Sequence, residues 1–180
     1  MQTKLNLGSG EHYRRGFLNV DTTSKFKKDL YVDATMKLPF KDNTFKYVYI
    51  RHVFEHLPQD NLGFICKELA RVCRRGAIID LFAPHFSCGK TFMSHDHKTF
   101  FSYFTFTKGK FPHLKILRRE FSFMRSELPY TGRPILNTVA KILNPFLSFI
   151  PNIIPFIYER LFCWSYPVEE VSYRFEVVKR

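Results

Sequence analysis

The sequence predicts an α/β fold: a doubly wound, mainly parallel sheet with a C-terminal antiparallel strand and a reduced first helix. Three observations carry that reading. Short apolar runs at residues 4–7, 17–20, 30–32, 45–50 and 77–82 are each bounded by glycine, acid or turn residues, as buried strands are. Between the last two lies a helical period, Leu62, Ile65, Leu69 and Val72, the crossover that parallel strands need. Near the end Val171, Tyr173, Phe175 and Val177 alternate along residues 170–178, the pattern of a strand with one buried face.

Taken in order, residues 4–7 end at Gly8-Ser9-Gly10. Glycine there permits positive φ and leaves no Cβ between backbone and a ligand. Residues 11–16 leave room for about one or two helical turns before a second strand that ends at Asp21. An acid at that strand tip is where an open α/β sheet grips a ribose diol. Leu30-Tyr31-Val32 then runs into Asp33-Ala34 and a Leu38-Pro39-Phe40 turn. After the polar stretch 41–44, Tyr47-Val48-Tyr49-Ile50 is strongly strand-like. Arg51-His52-Val53-Phe54-Glu55-His56-Leu57 leads to Pro58, which suits a helix first turn. That helix is expected to run to about Arg75, with Gly76 stopping it. Residues 77–82 are almost wholly apolar, as in a strand covered on both faces. Beyond Pro84, residues 92–106 are crowded with aromatics and histidines, and residues 114–123 read as another strand. An apolar insert at 129–167 precedes the last strand, so the chain reads as one domain, 1–180, with that insert.

At 180 residues and 45% hydrophobic content the chain can bury a full core and is not a disordered segment. Its net charge of +12 points to anionic surroundings: nucleic acid, acidic lipid or a phosphorylated substrate, with a solubilising excess of lysine as the plainer reading. The four cysteines show no C-x-x-C spacing; Cys66 and Cys73, seven apart on the expected helix, read as reduced core thiols. Met1 leads directly into the first strand without a signal-peptide pattern, so a cytoplasmic location is expected.

The glycine turn is not a P-loop, since no Gly-Lys-Ser/Thr follows it, and Tyr13 stands where a dinucleotide fingerprint needs its third glycine. An adenosyl ligand without a phosphate clamp needs neither. On Leu5-Asn6-Leu7-Gly8-Ser9-Gly10, Asp21, Asp33-Ala34 with Leu38-Pro39-Phe40, and Val53-Phe54-Glu55-His56-Leu57, the chain resembles the class I S-adenosylmethionine-dependent methyltransferases. These are Rossmann-like; within them it is closest to the small type-11-like group associated with surface-polysaccharide pathways. The resemblance spans roughly the first 105 residues and the final strand. It implies S-adenosylmethionine as methyl donor, S-adenosylhomocysteine as product, and cofactor contacts at Leu7, Gly8, Ser9, Gly10, Asp21 and Asp33. Ala34 would meet the adenine edge through its backbone and His52 would lie near the methionine end. The short interval from Gly10 to Asp21 departs from the family and implies a more open pocket.

Methyl transfer from a sulfonium relies on positioning, and a hydroxyl acceptor gains from a base near neutral pKa. His85 at a strand's carboxyl end and His97 beyond it are therefore the expected catalytic pair, although Ser94-His95 replace the Asp-Pro that similar methyltransferases place before the second histidine. Their plainer role is to hydrogen-bond loop backbone. His85, Cys88, His95 and His97 also have a spacing that permits zinc, but the resemblance implies no metal. Glu55 and His56 read as helix-start residues that satisfy backbone.

The stretch 144–157 is apolar but broken by Pro145, Pro151 and Pro155, and a bilayer span needs about 20 uninterrupted residues. It is expected to be a lid, a completion of the core, or a peripheral contact at the inner membrane face. Lys108, Lys110, Lys115, Arg118, Arg119, Arg125, Arg133, Lys141 and Arg160 would then favour anionic lipid or a diphosphate-linked acceptor. The expected acceptor is a small molecule or a glycan- or lipid-linked one, methylated at oxygen. The rivals are an RNA or DNA methyltransferase and a non-catalytic binding protein. Against nucleic acid, Arg51-His52-Val53-Phe54 stands where base-methylating relatives carry Asn/Asp-Pro-Pro-Tyr/Phe.

Overall fold

The computed structural model describes residues 2–107, 109–124 and 134–179; Lys108, Arg125, Arg133 and the first residues of the expected insert lie outside the described residues. Seven strands form one sheet: β1 (Lys4–Leu7), β2 (Leu18–Asp21), β3 (Leu30–Tyr31), β4 (Phe45–Arg51), β5 (Cys73–Pro84), β6 (Leu114–Ser122) and β7 (Glu170–Val177). Their order is β3-β2-β1-β4-β5-β7-β6. β1 to β5 pair in parallel, and β7 runs antiparallel to both β5 and β6. The fold is Rossmann-like, as expected. The order reverses at β1, between β2 and β4, and ligands bind open α/β sheets in the crevice at such a reversal.

Helix α1 (Asn61–Val72) crosses from β4 to β5, and the short α2 (Gly89–Met93) follows β5. Its Leu62, Ile65 and Leu69 join Val48, Ile50, Ile79, Leu81, Tyr173 and Phe175 in the core, with Phe101 and Phe106 alongside. The helix ends before the glycine expected to stop it. Asn43 N–H donates to Arg71 O and Thr44 N–H to Val72 O, so its last carbonyls are met from the loop before β4. Cys73 then opens β5, and Gly76 lies inside that strand at φ 78°. Both thiols stay buried, and desolvation pushes Cys66 and Cys73 up to about 12.

The opposite face of the sheet has no helix from residues 11–16, which form turns. Buried amides do the holding: Asn6 Nδ2 donates to Asn19 Oδ1 (2.9 Å) and His12 O (3.0 Å), and Asn19 Nδ2 donates to Arg14 O (3.0 Å) and Phe17 O (3.0 Å). Polar side chains screen this face of β4, β5 and β7, where the first helix was expected to be reduced. Arg174 grips both oxygens of Asp80 at 2.7 Å, Tyr47 donates to Asp80 at 2.6 Å, and the Arg14 guanidinium lies 3.7 Å over Tyr49.

Two of the three prolines expected to break the insert do not, and the break falls at the third, Pro155. α3 (Pro134–Ile153) runs through Pro145 and Pro151, and α4 (Pro155–Ile157) follows with a π-helical turn at Tyr158–Phe162. Pro151 leaves Leu147 O without its helical N–H donor, and the Tyr166 hydroxyl supplies one at 3.0 Å. α3 lies along the edge strand β6. Asn152 accepts from Phe121 N–H and donates to Phe121 O, Ser148 Oγ accepts from Phe123 N–H, and Asn144 pairs with both main-chain groups of Met124. An unpaired edge is an aggregation template; here side chains spaced four apart pair the C-terminal end of that edge, from Phe121 to Met124.

Candidate active site

At the reversal of strand order lies a cleft of about 860 Å³, within the range of small-molecule sites. Leu7, Gly8, Ser9, Gly10, Asp21, Asp33, Ala34, His52 and His97 all line it, together with Glu55, His56 and Asp96. The turn is shaped by positive φ at Gly8 (71°) and Gly10 (47°). Gly8 N–H and Ser9 N–H both donate to Val20 O (2.8 and 3.0 Å), and Gly10 N–H donates to Asp21 Oδ2 (2.7 Å), so the carboxylate ties the tip of β2 to the turn. Its other oxygen accepts from Thr23 N–H at 2.7 Å.

The residues fit an adenosyl ligand. The Ser9 hydroxyl is buried and has no hydrogen-bond partner among the described residues, a cost that a bound polar group removes. A Cβ at Gly10 would meet no protein atom within 4 Å, so the space before it is free for a ligand. The Leu38-Pro39-Phe40 turn that follows Asp33-Ala34 is held by α1: Leu38 N–H donates to Glu68 Oε2 (2.9 Å), and Arg71 reaches Leu38 O (2.9 Å) and Phe40 O (2.8 Å). The Arg71 hydrogen bonds hold the Glu68 carboxyl below the usual carboxylate range.

His52 sits at φ 51°, a left-handed conformation rare outside glycine and concentrated at functional sites. Its Nδ1 lies 3.1 Å from Glu55 Oε1 and its Nε2 3.4 Å from Glu170 Oε2, while Arg51 pairs with Glu170 at 2.8 Å. Burial works to lower the imidazole's pKa, but the hydrogen bonds and charges of Glu170 and Glu55 outweigh it, and the ring sits above its ordinary value.

The two histidines expected to act together are separated. His97 lines the cleft with its Nδ1 2.9 Å from Thr91 O, and its ring meets that of His56 at 5.0 Å. His85 is 0% exposed and outside the cleft lining. Its Nδ1 accepts from Ser87 N–H (3.2 Å) and contacts Ser87 Oγ (2.8 Å); its Nε2 lies 3.0 Å from Glu159 Oε1. Nδ1 is thus an acceptor, the proton is on Nε2, and burial lowers the pKa despite Glu159. Glu159 in turn accepts from Ser102 Oγ (2.8 Å) and Tyr103 N–H. His85 therefore anchors the turn after α4 to the end of β5. With His85 turned away, the His85–Cys88–His95–His97 spacing gathers no metal site. Among the described residues, Glu55, His56 and His97 instead bring one donor atom each within 4.8 Å of one another.

Glu68, Arg71, Glu170 and Glu159 escaped sequence reasoning. Each acts on a partner distant in sequence, and no local spacing marks it.

Residues 14–80 match the family model described as a methyltransferase domain. No curated protein matches the chain. Among solved structures, an S-adenosylmethionine-dependent methyltransferase from Archaeoglobus fulgidus is 16% identical, with a TM-score of 0.56 over 96% of this chain and 85% of that one. A Haemonchus contortus phosphoethanolamine N-methyltransferase 2, in complex with phosphomonomethylethanolamine and S-adenosylhomocysteine, is 14% identical with a TM-score of 0.58, over 98% of this chain and 48% of that one. A geranyl diphosphate methyltransferase in complex with S-adenosylmethionine is 9% identical with a TM-score of 0.55, over 97% and 77%. At these identities the likeness is one of fold.

Proposed function

We propose that this chain is an S-adenosylmethionine-dependent methyltransferase that methylates a hydroxyl oxygen on a small or saccharide-bearing acceptor. The observation that carries the reading is the cleft at the reversal of strand order, where an unpartnered buried Ser9 hydroxyl stands beside two left-handed glycines and a strand-tip carboxylate. When bound, S-adenosylmethionine supplies a methyl group already activated on a sulfonium; the acceptor oxygen gains that methyl and loses a proton, and S-adenosylhomocysteine leaves. The chain itself holds, orients and takes up the proton. Each Asp21 oxygen accepts one backbone N–H and keeps lone-pair capacity for ribose hydroxyls. At His97, the Thr91 carbonyl can only accept, so Nδ1 carries the hydrogen and Nε2 keeps a lone pair for the acceptor's proton. A base so placed is worth about 10²–10⁴ in rate.

Calorimetry with S-adenosylhomocysteine tests the site. Asp21→Ala should weaken binding at least about tenfold, or about 1.4 kcal/mol, and His97→Gln should leave it unchanged. Equal affinity in Asp21→Ala, or no binding by the unaltered chain, would overturn the reading. For the acceptor, labelled methyl supplied on S-adenosylmethionine to lipid and water-soluble extracts should appear as O-methyl ethers; label only on nitrogen or nucleic acid would remove the oxygen assignment.

A further inference from the structure

α3 is built inside out. Its polar side chains Asn144, Ser148 and Asn152 point inward to the β6 edge, while Ile142, Phe146, Phe149 and Ile153, at three- and four-residue steps, face solvent. Phe146 is 74% and Phe149 62% exposed. The apolar surface continues through Phe156 to Trp164, itself 68% exposed. A soluble helix normally does the reverse, and an apolar surface of this extent marks an interaction site. No described helix is long and apolar enough to cross a membrane.

Charge chooses the occupant. Residues 134–157 contain no acid and one cation, Lys141. Arg160 stands exposed beyond them, its guanidinium 6.0 Å from the Phe156 ring. The nearest acid, Glu159, is turned inward to His85 and Ser102. A second copy docked through the same face would bring like charges together with no carboxylate to neutralise them, because a twofold interface is self-complementary. An anionic bilayer surface supplies both the missing negative charge and a medium for the aromatic and aliphatic side chains. The protein's net charge of +12 acts in the same direction.

We propose that the outer face of α3, continued through α4 to Trp164, docks the protein on anionic phospholipid. At its far end Trp164 packs 5.5 Å from the ring of Phe86, just beyond the end of β5. The docking surface stands apart from the methyl-transfer reading, and its test needs no turnover.

Trp164 is the chain's single tryptophan and reports directly. The expected result is a blue shift of its emission, and flotation of the protein, with vesicles containing phosphatidylglycerol, about tenfold more than with phosphatidylcholine alone. The double variant Phe146→Glu/Phe149→Glu, altered only at exposed positions, should lose both signals while keeping its thermal unfolding curve. Phe64→Glu, an exposed position on α1, should retain them. Three results would overturn the proposal: no flotation of the unaltered chain, undiminished flotation of the double variant, or a dimer in solution that the double variant dissolves.

Discussion

At Gly8 a side chain has nowhere to go. A Cβ there would stand 2.1 Å from Val53 Cγ2, and the residue holds φ 71°. Gly8→Ala is expected to cost roughly 2–5 kcal/mol from the left-handed backbone and the clash together, read by denaturant unfolding. Adding Val53→Ala should return the packing share and leave about 1–2 kcal/mol from the backbone. Gly10 differs, since a Cβ there meets nothing. Gly10→Ala should therefore weaken S-adenosylhomocysteine binding more than it lowers stability; the opposite ranking would mean that the ligand does not approach this backbone. These glycines, with Asp21 and Asp33, were legible in the sequence because their demands are local: a turn after one strand, an acid at the tip of the next. Glu170 was not. It appears in sequence only as the start of an alternating strand, and its importance arises when β7 brings it against Arg51 and His52.

At the scale of elements, the same contrast explains α3. Three prolines in fourteen residues argue for a broken segment, yet the helix runs through Pro145 and Pro151 and stops only before Pro155, because a hydroxyl from Tyr166 replaces the donor that Pro151 lacks and an Asn–Ser–Asn row fastens the helix to the end of β6. No helix rule that looks only a few residues either way finds a partner from beyond the helix's end. The parallel strands, by contrast, were readable from apolar runs alone, since burial leaves little else to choose from. The account of α3 predicts that Tyr166→Phe, which keeps the ring stacked 4.8 Å from Phe123, destabilises the protein by about 1–3 kcal/mol through the unmet Leu147 carbonyl. Amide exchange should rise along α3 ahead of α1. A variant as stable as the parent would show that water serves that carbonyl equally well.

For the molecule as a whole, the half-buried His52 and the buried His85 give stability an opposite dependence on pH. His52 has a folded pKa above its unfolded value, because Glu170 and Glu55 outweigh burial. Its contribution is complete below the unfolded value of about 6.5 and is lost as pH rises through the raised folded value. His85 has a folded pKa below the unfolded one, because burial and the Ser87 N–H donated to Nδ1 favour the neutral ring. The unfolded chain then binds the extra proton first, so stability falls as pH drops below about 6.5 toward the lowered folded value. Together the two limit the protein from both sides, with a maximum near the ordinary histidine pKa. The limbs separate by mutation. His52→Gln should flatten the decline of melting temperature on the alkaline side and leave the acid side intact, whereas His85→Gln should flatten the acid side. His85→Gln also breaks the contact that binds the turn after α4 to β5, so its melting temperature should fall at every pH. Identical pH profiles for the parent and both variants would mean that other groups govern the titration, and that the cluster around Glu170 does not raise the pKa of His52 above its ordinary value.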